Sequence, residues 1–206
     1  MPRLLLATYN KGKIREFQSL LKGVPFELVT PAQQGIVLEV EETGSTFEEN
    51  ARLKALAFAK ASGLLTLADD SGLEVDALNG EPGVRSSRYA GTGATDTDRI
   101  NFLLAKLKDI PPQKRSAHFV CVIAIAFPDG RIEICSGRCD GLIISEPRGK
   151  KGFGYDPVFY FPELKRTLSE LSMEVKNRVS HRAQAAREAK KVLNRLINLQ
   201  SEFKYG

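Results

Sequence analysis

The chain is poor in the residues that bind transition metals. Two histidines (His118 and His181) and three cysteines (Cys121, Cys135 and Cys139) occur in 206 residues. No two cysteines stand in a Cys-x-x-Cys pair, which argues against a Cys/His zinc site and for reduced thiols packed as small apolar side chains. No apolar run approaches the roughly 20 residues that a bilayer span needs. The apolar stretch near the N-terminus is too short for a secretory signal and meets Asn10, Lys11 and Lys13 at once, so a cytoplasmic protein without a membrane partner is expected. Also missing are an internal repeat, a linker, and the Gly-x-x-x-x-Gly-Lys-Ser/Thr loop of the common nucleotide-binding fold.

What is present is an ordinary globular composition, 42% apolar and 27% charged, with 30 basic against 25 acidic residues and a net charge of +5. Residues 1–206 read as one domain with two lobes. The excess of positive charge suits nucleic acid or a small polyanionic ligand. The basic residues Arg178, Arg182, Arg187, Lys190, Lys191 and Arg195 gather towards the C-terminus. Exposed aromatics between them would mark a nucleic-acid surface, and the last helix has almost none, so a solvated helix face is the default and no nucleic-acid partner is expected.

Along the chain, a strand at Leu4–Thr8 runs into Thr8-Tyr9-Asn10-Lys11-Gly12-Lys13, and apolar residues then recur at helical spacing to about Lys22. The start of that helix is a potential anion site, with Thr8, Asn10 and Lys13 as additional donors; an ordinary turn between strand and helix is the plainer alternative. A second strand is expected around Phe26–Thr30, followed by a partly extended stretch, Ile36–Glu42. Thr46 and Glu49 have capping-box spacing for a helix from Phe47 to about Ser62 that stops at Gly63. On it, Asn50 and Lys54 share a stripe beside the apolar one, and Lys54 either snorkels or meets a phosphate.

Next, an apolar strand, Leu64–Ala68, ends in Asp69-Asp70-Ser71-Gly72. Adjacent carboxylates repel one another unless a cation lies nearby, so this is either a polar turn or a metal site. Strand side chains alternate, so Asp69 and Asp70 are expected to do different work. A further extended piece at Leu73–Leu78, a helix from Asp96 to about Lys108, and an antiparallel element from Ala117 to about Gly137, with Gly141–Ser145 as a third strand, follow. The loop Gly152-Phe153-Gly154-Tyr155-Asp156 joins glycines to two rings, either of which can stack on a base. A short helix begins at Thr167–Leu171. Ser180 is placed to cap the last helix, with His181 and Arg182 in its first turn, where the helix dipole disfavours cations.

Together these blocks resemble the inosine triphosphate pyrophosphatase family, and the resemblance runs nearly end to end. It rests on Ala7–Lys13, Glu41–Ala51 with Lys54-Ala55, Ala68–Leu73, Ser87-Arg88-Tyr89, Gly152–Pro157 and Ser180-His181-Arg182 in this order. The resemblance implies an α/β fold: a two-lobed single domain with a long mixed sheet flanked by helices and an active-site cleft between the lobes. It implies hydrolysis of non-canonical purine nucleoside triphosphates (ITP, dITP, XTP) to the monophosphate and pyrophosphate, cleansing the nucleotide pool. It also implies a Mg²⁺ cofactor and a homodimer.

Carried over by position, Thr8, Tyr9, Asn10, Lys11, Gly12 and Lys13 resemble the triphosphate loop, with Lys54 a second phosphate contact. Glu42 and Asp70 resemble the magnesium carboxylates, Asp70 also the general base, with Ser71 touching substrate. Phe153, Gly154, Tyr155, Asp156, Lys176, His181 and Arg182 are similar to the nucleotide and base contacts. The sequence departs from the family at Lys151, where a glycine is common, which opens the question of the loop's path there. A sensor that binds the nucleotide without turnover is the alternative, against which stand the paired acidic positions and the lysines.

Overall fold

The computed structural model describes residues 1–202. Seven strands form one sheet in the order β2-β1-β3-β4-β5-β6-β7. They are β1 (Arg3–Leu6), β2 (Glu27–Val29), β3 (Leu65–Val75), β4 (Ser116–Ala126), β5 (Ile132–Ile143), β6 (Phe159–Phe161) and β7 (Arg166–Thr167). β1 runs parallel to β2 and β3, whereas β6 is antiparallel to β5 and β7, so the sheet is mixed. The helices are α1 (Lys11–Leu20), α2 (Phe47–Ser62), α3 (Asp96–Lys106), α4 (Met173–Val179) and α5 (His181–Glu202).

The chain divides into two compact units. The first holds Met1–Asp70, Cys121–Gly137 and the chain from Arg182 onward; the second holds Ser71–Val120 and Arg138–His181. In the first unit, Leu4, Leu5 and Leu6 are all buried, as a parallel strand covered on both faces requires. Leu4 and Leu6 join Phe17 of α1, Leu21 just past its end, Ile123 and Ala186 in its core, and each such leucine contributes about 1.5–3 kcal/mol by leaving water. In the second unit Leu73, Ile100, Leu103, Val158, Phe159 and Leu168 belong to a separate core.

Local chemistry explains the ends of α2. Thr46 accepts from the Glu49 N–H at 3.1 Å while the Glu49 carboxylate accepts from the Thr46 N–H at 3.2 Å, the reciprocal cap that the sequence predicts. Gly44 must lack a side chain, because a Cβ there would lie 2.6 Å from the Glu49 Cβ and 2.7 Å from the Asn50 Oδ1.

Three expectations change. The Asp-Asp-Ser-Gly stretch is no turn: β3 runs unbroken through it from Leu65 to Val75. The second and third strands expected after Ala126 are one, Ile132–Ile143. The helix expected at Thr167–Leu171 is a single 3₁₀ turn over Leu168–Glu170. In each case sheet pairing or its absence, which local patterning does not encode, decided the outcome.

Candidate active site

The first unit gathers a charged cluster around the end of its part of β3. Asp69 and Asp70 point to opposite sides of the strand, as the alternation of strand side chains demands. On one side, the Asp69 carboxylate meets Lys13 Nζ of α1 at 2.9 Å and Arg182 Nη2 of α5 at 3.5 Å. The thiol of Cys121 lies 3.9 Å from the same oxygen. Arg182 in turn pairs with Glu16 of α1 at 2.6 Å, and both side chains are almost wholly buried. Burial alone would raise the Asp69 pKa, but Lys13, Arg182 and Lys54 outweigh it and hold the carboxyl far below the usual range.

On the other side, Asp70 accepts from Asn50 Nδ2 at 3.1 Å and lies 3.8 Å from Lys54 Nζ. Lys54 also pairs with Glu42 at 2.7 Å, so a single ammonium bridges the two carboxylates. Burial pushes the Asp70 pKa up and Glu42 adds to the effect, against the pull of Lys54 and Lys13. Burial works against the charge on Lys54, yet Asp69, Asp70 and Glu42 together raise its pKa. The cluster therefore holds a firmly charged lysine beside a carboxylate that binds a proton more readily than usual.

Asn50 is fully buried and ties Asp70 to the turn before α2, accepting from the Gly44 N–H at 2.8 Å. It was absent from the expected site; its i, i+4 spacing to Lys54 was the signal that should have included it. Glu16 was equally unforeseen, since one glutamate on a surface-type helix carries no local mark of burial.

At the start of α1, the Asn10 side chain accepts from the N–H groups of Gly12 and Lys13 at 2.8 and 3.1 Å, and the Thr8 hydroxyl accepts from the Asn10 N–H at 3.2 Å. The Asn10 side chain thus takes up two of the backbone N–H groups expected for an anion, leaving the Asn10 amide hydrogens and the exposed Lys11 side chain as the outward chemistry, while the Lys13 side chain turns to Asp69. Tyr9 points elsewhere: its hydroxyl bonds the backbone at Ile36 and Leu38.

The second unit holds the other expected group. Asp156 accepts from the Phe153 N–H at 3.0 Å and pairs with the buried Lys176 at 2.5 Å. The Lys176 ammonium lies 5.2 Å from the centroid of the Phe153 ring. Gly152, at φ +79°, has no room for a side chain, because a Cβ would lie 2.0 Å from an Asp156 oxygen. Lys151 shows no such need; its N–H donates to the Ser169 carbonyl at 3.2 Å. The departure from the family's glycine therefore leaves the loop anchored. The Gly154 N–H donates to Asp96 at 2.7 Å. Tyr155 is 3% exposed and donates to the Ser86 carbonyl at 2.9 Å, which makes it a core residue, while Phe153 is the half-buried ring. His181 is buried and stacks on Phe119, with ring centroids 4.7 Å apart. Ser71 lies on β3, half-buried, at the first position of the second unit.

Lysines set among carboxylates midway along a strand of a mixed sheet define an α/β protein with a concentrated, largely buried cluster of opposite charges. A profile of the Ham1 family matches residues 4–192. The chain belongs to the Ham1 family. It is 52% identical over 194 residues to a dITP/XTP pyrophosphatase of Desulforamulus reducens, covering 94% of this chain and 96% of that one. To the dITP/XTP pyrophosphatase of Bacillus subtilis it is 43% identical over 193 residues, covering 94% and 98%. Among solved structures, a HAM1 protein from Coxiella burnetii superposes with a TM-score of 0.86 at 47% identity, covering 95% of this chain and all of the other.

Proposed function

We propose that this chain hydrolyses non-canonical purine nucleoside triphosphates (ITP, dITP and XTP) between the α and β phosphates, releasing the monophosphate and pyrophosphate and so cleansing the nucleotide pool. The observation that carries the reading is the bridge of Lys54 between Glu42 and Asp70. It is supported by the 52% identity to a dITP/XTP pyrophosphatase over nearly the full chain.

The donor set fits Mg²⁺. Glu42 and Asp70 supply hard carboxylate oxygens within reach of one cation, Lys54 Nζ. Among the described residues no three His, Cys, Asp or Glu side chains converge on a metal position. A magnesium ion that retains waters and takes phosphate oxygens needs no more than the two. Bound there, it would neutralise phosphate charge and polarise the phosphoryl oxygens.

The chain's own groups do the rest. Lys13 and Lys54 offset negative charge on the phosphates, and that stabilisation grows as charge accumulates on the leaving pyrophosphate. Asp70, its pKa raised by burial, accepts a proton from the attacking water, and Asn50 holds its carboxylate in place. Asp69 holds Lys13 in place and is the counter-charge for Arg182. Phe153, Lys176, His181 and Arg182 are assigned to the nucleotide and base. There the 6-keto oxygen of hypoxanthine or xanthine accepts hydrogen bonds that the amino group of adenine cannot, and a buried mismatch of that kind discriminates strongly. A homodimer, as the family resemblance implies, and a cytoplasmic place, as the short apolar N-terminal stretch suggests, complete the proposal; light scattering after gel filtration reads the assembly.

Pyrophosphate release from ITP, dITP, XTP and ATP with Mg²⁺, run beside Asp70→Asn, tests the reading. Turnover of the first three over ATP, lost in the variant, is the expected result. Nucleotide binding without pyrophosphate release makes the chain a sensor and overturns it, and an Asp70→Asn variant of undiminished rate removes Asp70 as the base.

A further inference from the structure

The stretch 36–42 carries Glu42 and is poorly held. None of residues 36–46 is buried, and Val37 is 99% exposed, so apolar packing does not anchor the segment. It belongs to no strand. Its backbone bonds are few: Ile36 N–H to the Pro31 carbonyl at 2.9 Å and Thr43 N–H to the Glu41 carbonyl at 3.1 Å. Among the described residues, no partner is shown for the amides of Val37, Glu39 and Val40. Between these points the Tyr9 side chain reaches the backbone. The Tyr9 hydroxyl accepts from the Leu38 N–H at 3.2 Å and shares its own hydrogen between the carbonyls of Ile36 at 3.1 Å and Leu38 at 3.3 Å. The Tyr9 ring lies 6.1 Å from that of Phe58 on α2.

From this geometry we infer that Tyr9 is a positioning residue: its hydroxyl clasps the 36–38 backbone and thereby sets where Glu42 stands opposite Asp70. A phenol is suited to the task, because it donates and accepts at once on a rigid stem with little side-chain freedom to lose. The far end of the segment is fixed independently, by Lys54 on the Glu42 carboxylate and Asn50 on the Gly44 N–H. The clasp closes the near end, four residues before Glu42. It also joins the loop between β1 and α1, where the phosphate-binding residues are proposed, to the segment that carries a proposed metal ligand.

The catalytic consequence rests on the proposed function; the clasp itself does not. Tyr9→Phe keeps the ring and deletes only the hydroxyl. In the protein without metal or nucleotide, the Leu38 amide should exchange with solvent on the order of tenfold faster in this variant, as loss of one hydrogen bond implies, with α1 and α2 amides unchanged. The Mg²⁺ concentration for half-maximal rate should rise several-fold with it, and KM at saturating Mg²⁺ should hold. Phe58→Leu, which keeps the hydroxyl, should retain most of the Leu38 protection. Equal Leu38 exchange in wild type and Tyr9→Phe overturns the clasp, and faster exchange with an unmoved Mg²⁺ requirement overturns its positioning role. If Tyr9→Phe loosens the whole unit, the wild type alone decides: a Leu38 amide no better protected than those of Val37, Glu39 and Val40 overturns the inference. Absence of pyrophosphate release by the wild type would fall on the function and leave the exchange result standing.

Discussion

Replacing Asp69 by asparagine tests the charged cluster at its centre. Asp69 is 1% exposed and is the shared counter-charge of Lys13 and Arg182. The asparagine amide has nearly the same shape but removes the negative charge between two cations. Removing one member of a buried ion pair costs about 3–5 kcal/mol, because the partner's charge is left uncompensated. Here two facts place the loss near the lower end. Arg182 retains Glu16 at 2.6 Å, and Lys13, with 15% of its side chain exposed, reaches water. About 3 kcal/mol is then expected, a large share of the roughly 5–15 kcal/mol that holds a domain together. With a urea slope of about 2 kcal/mol/M, the unfolding midpoint should fall by about 1.5 M. The sign of the pH dependence follows from the depressed pKa of Asp69. Its contribution is complete above the ordinary carboxyl pKa of about 3.9 and is lost as pH falls from there towards the lower folded value. The gap between wild type and Asp69→Asn should therefore be constant from neutrality to about pH 5 and narrow only in strong acid. A double-mutant cycle with Lys13→Met should show a coupling of about 0.5–3 kcal/mol. A variant whose midpoint matches the wild type, or whose effect adds fully to that of Lys13→Met, would refute the assignment of Asp69 as the shared counter-charge.

Asn50→Ala removes a donor to the charged form of Asp70, so the acid limb of the kcat/KM profile should move to higher pH while stability falls by about 1–3 kcal/mol; a pH–rate series with urea melts reads both. Burial raises all three thiols, Cys135 to about 11 and Cys139 to about 12, so native protein at pH 8 should react with a disulfide reagent far more slowly than free cysteine, and unfolded protein should titrate all 3 thiols. Tyr155→Phe should cost about 1 kcal/mol by removing the bond to the Ser86 carbonyl and leave KM for ITP unchanged, whereas Phe153→Ala should raise KM; steady-state kinetics beside thermal melts separate the two. Gly152→Ala should disrupt the Asp156 loop and lower the melting temperature by several degrees, because a Cβ meets the Asp156 carboxylate at 2.0 Å and the backbone is left-handed.

How much of this was legible beforehand differs from element to element. α2 is legible from Phe47 to about Ser62, and the observed helix ends there, because its cap and its stop are local chemistry that the sequence states outright. β3 is legible only as an apolar strand, Leu64–Ala68, and a further extended piece, with a polar turn as one of the two readings between them. Asp, Ser and Gly carry turn propensity, and only the pairing of β3 in the sheet overrides it. The site residues Glu42, Lys54 and Asp70 were named from their resemblance to a family, and the structure brings their side chains together. Tyr9 shows the reverse. A tyrosine beside Thr8 and Asn10 reads as part of an anion loop, and nothing local reveals that its hydroxyl reaches a backbone 27 residues further on.

By itself, then, the sequence determined the ends of α2, the apolar segments that enter the sheet, the family and the two aspartates' different faces. All of these depend on residues within a few positions of one another or on the order of short motifs. Tertiary structure alone decided what each charge faces. Asp69 went to Lys13, 56 positions earlier, and to Arg182 on the last helix, while Asp70 went to Asn50 and Lys54. Charge partners are chosen by distance in space, and burial makes that choice exclusive: a carboxylate withdrawn from water must find a cation or a donor wherever the packed chain places one.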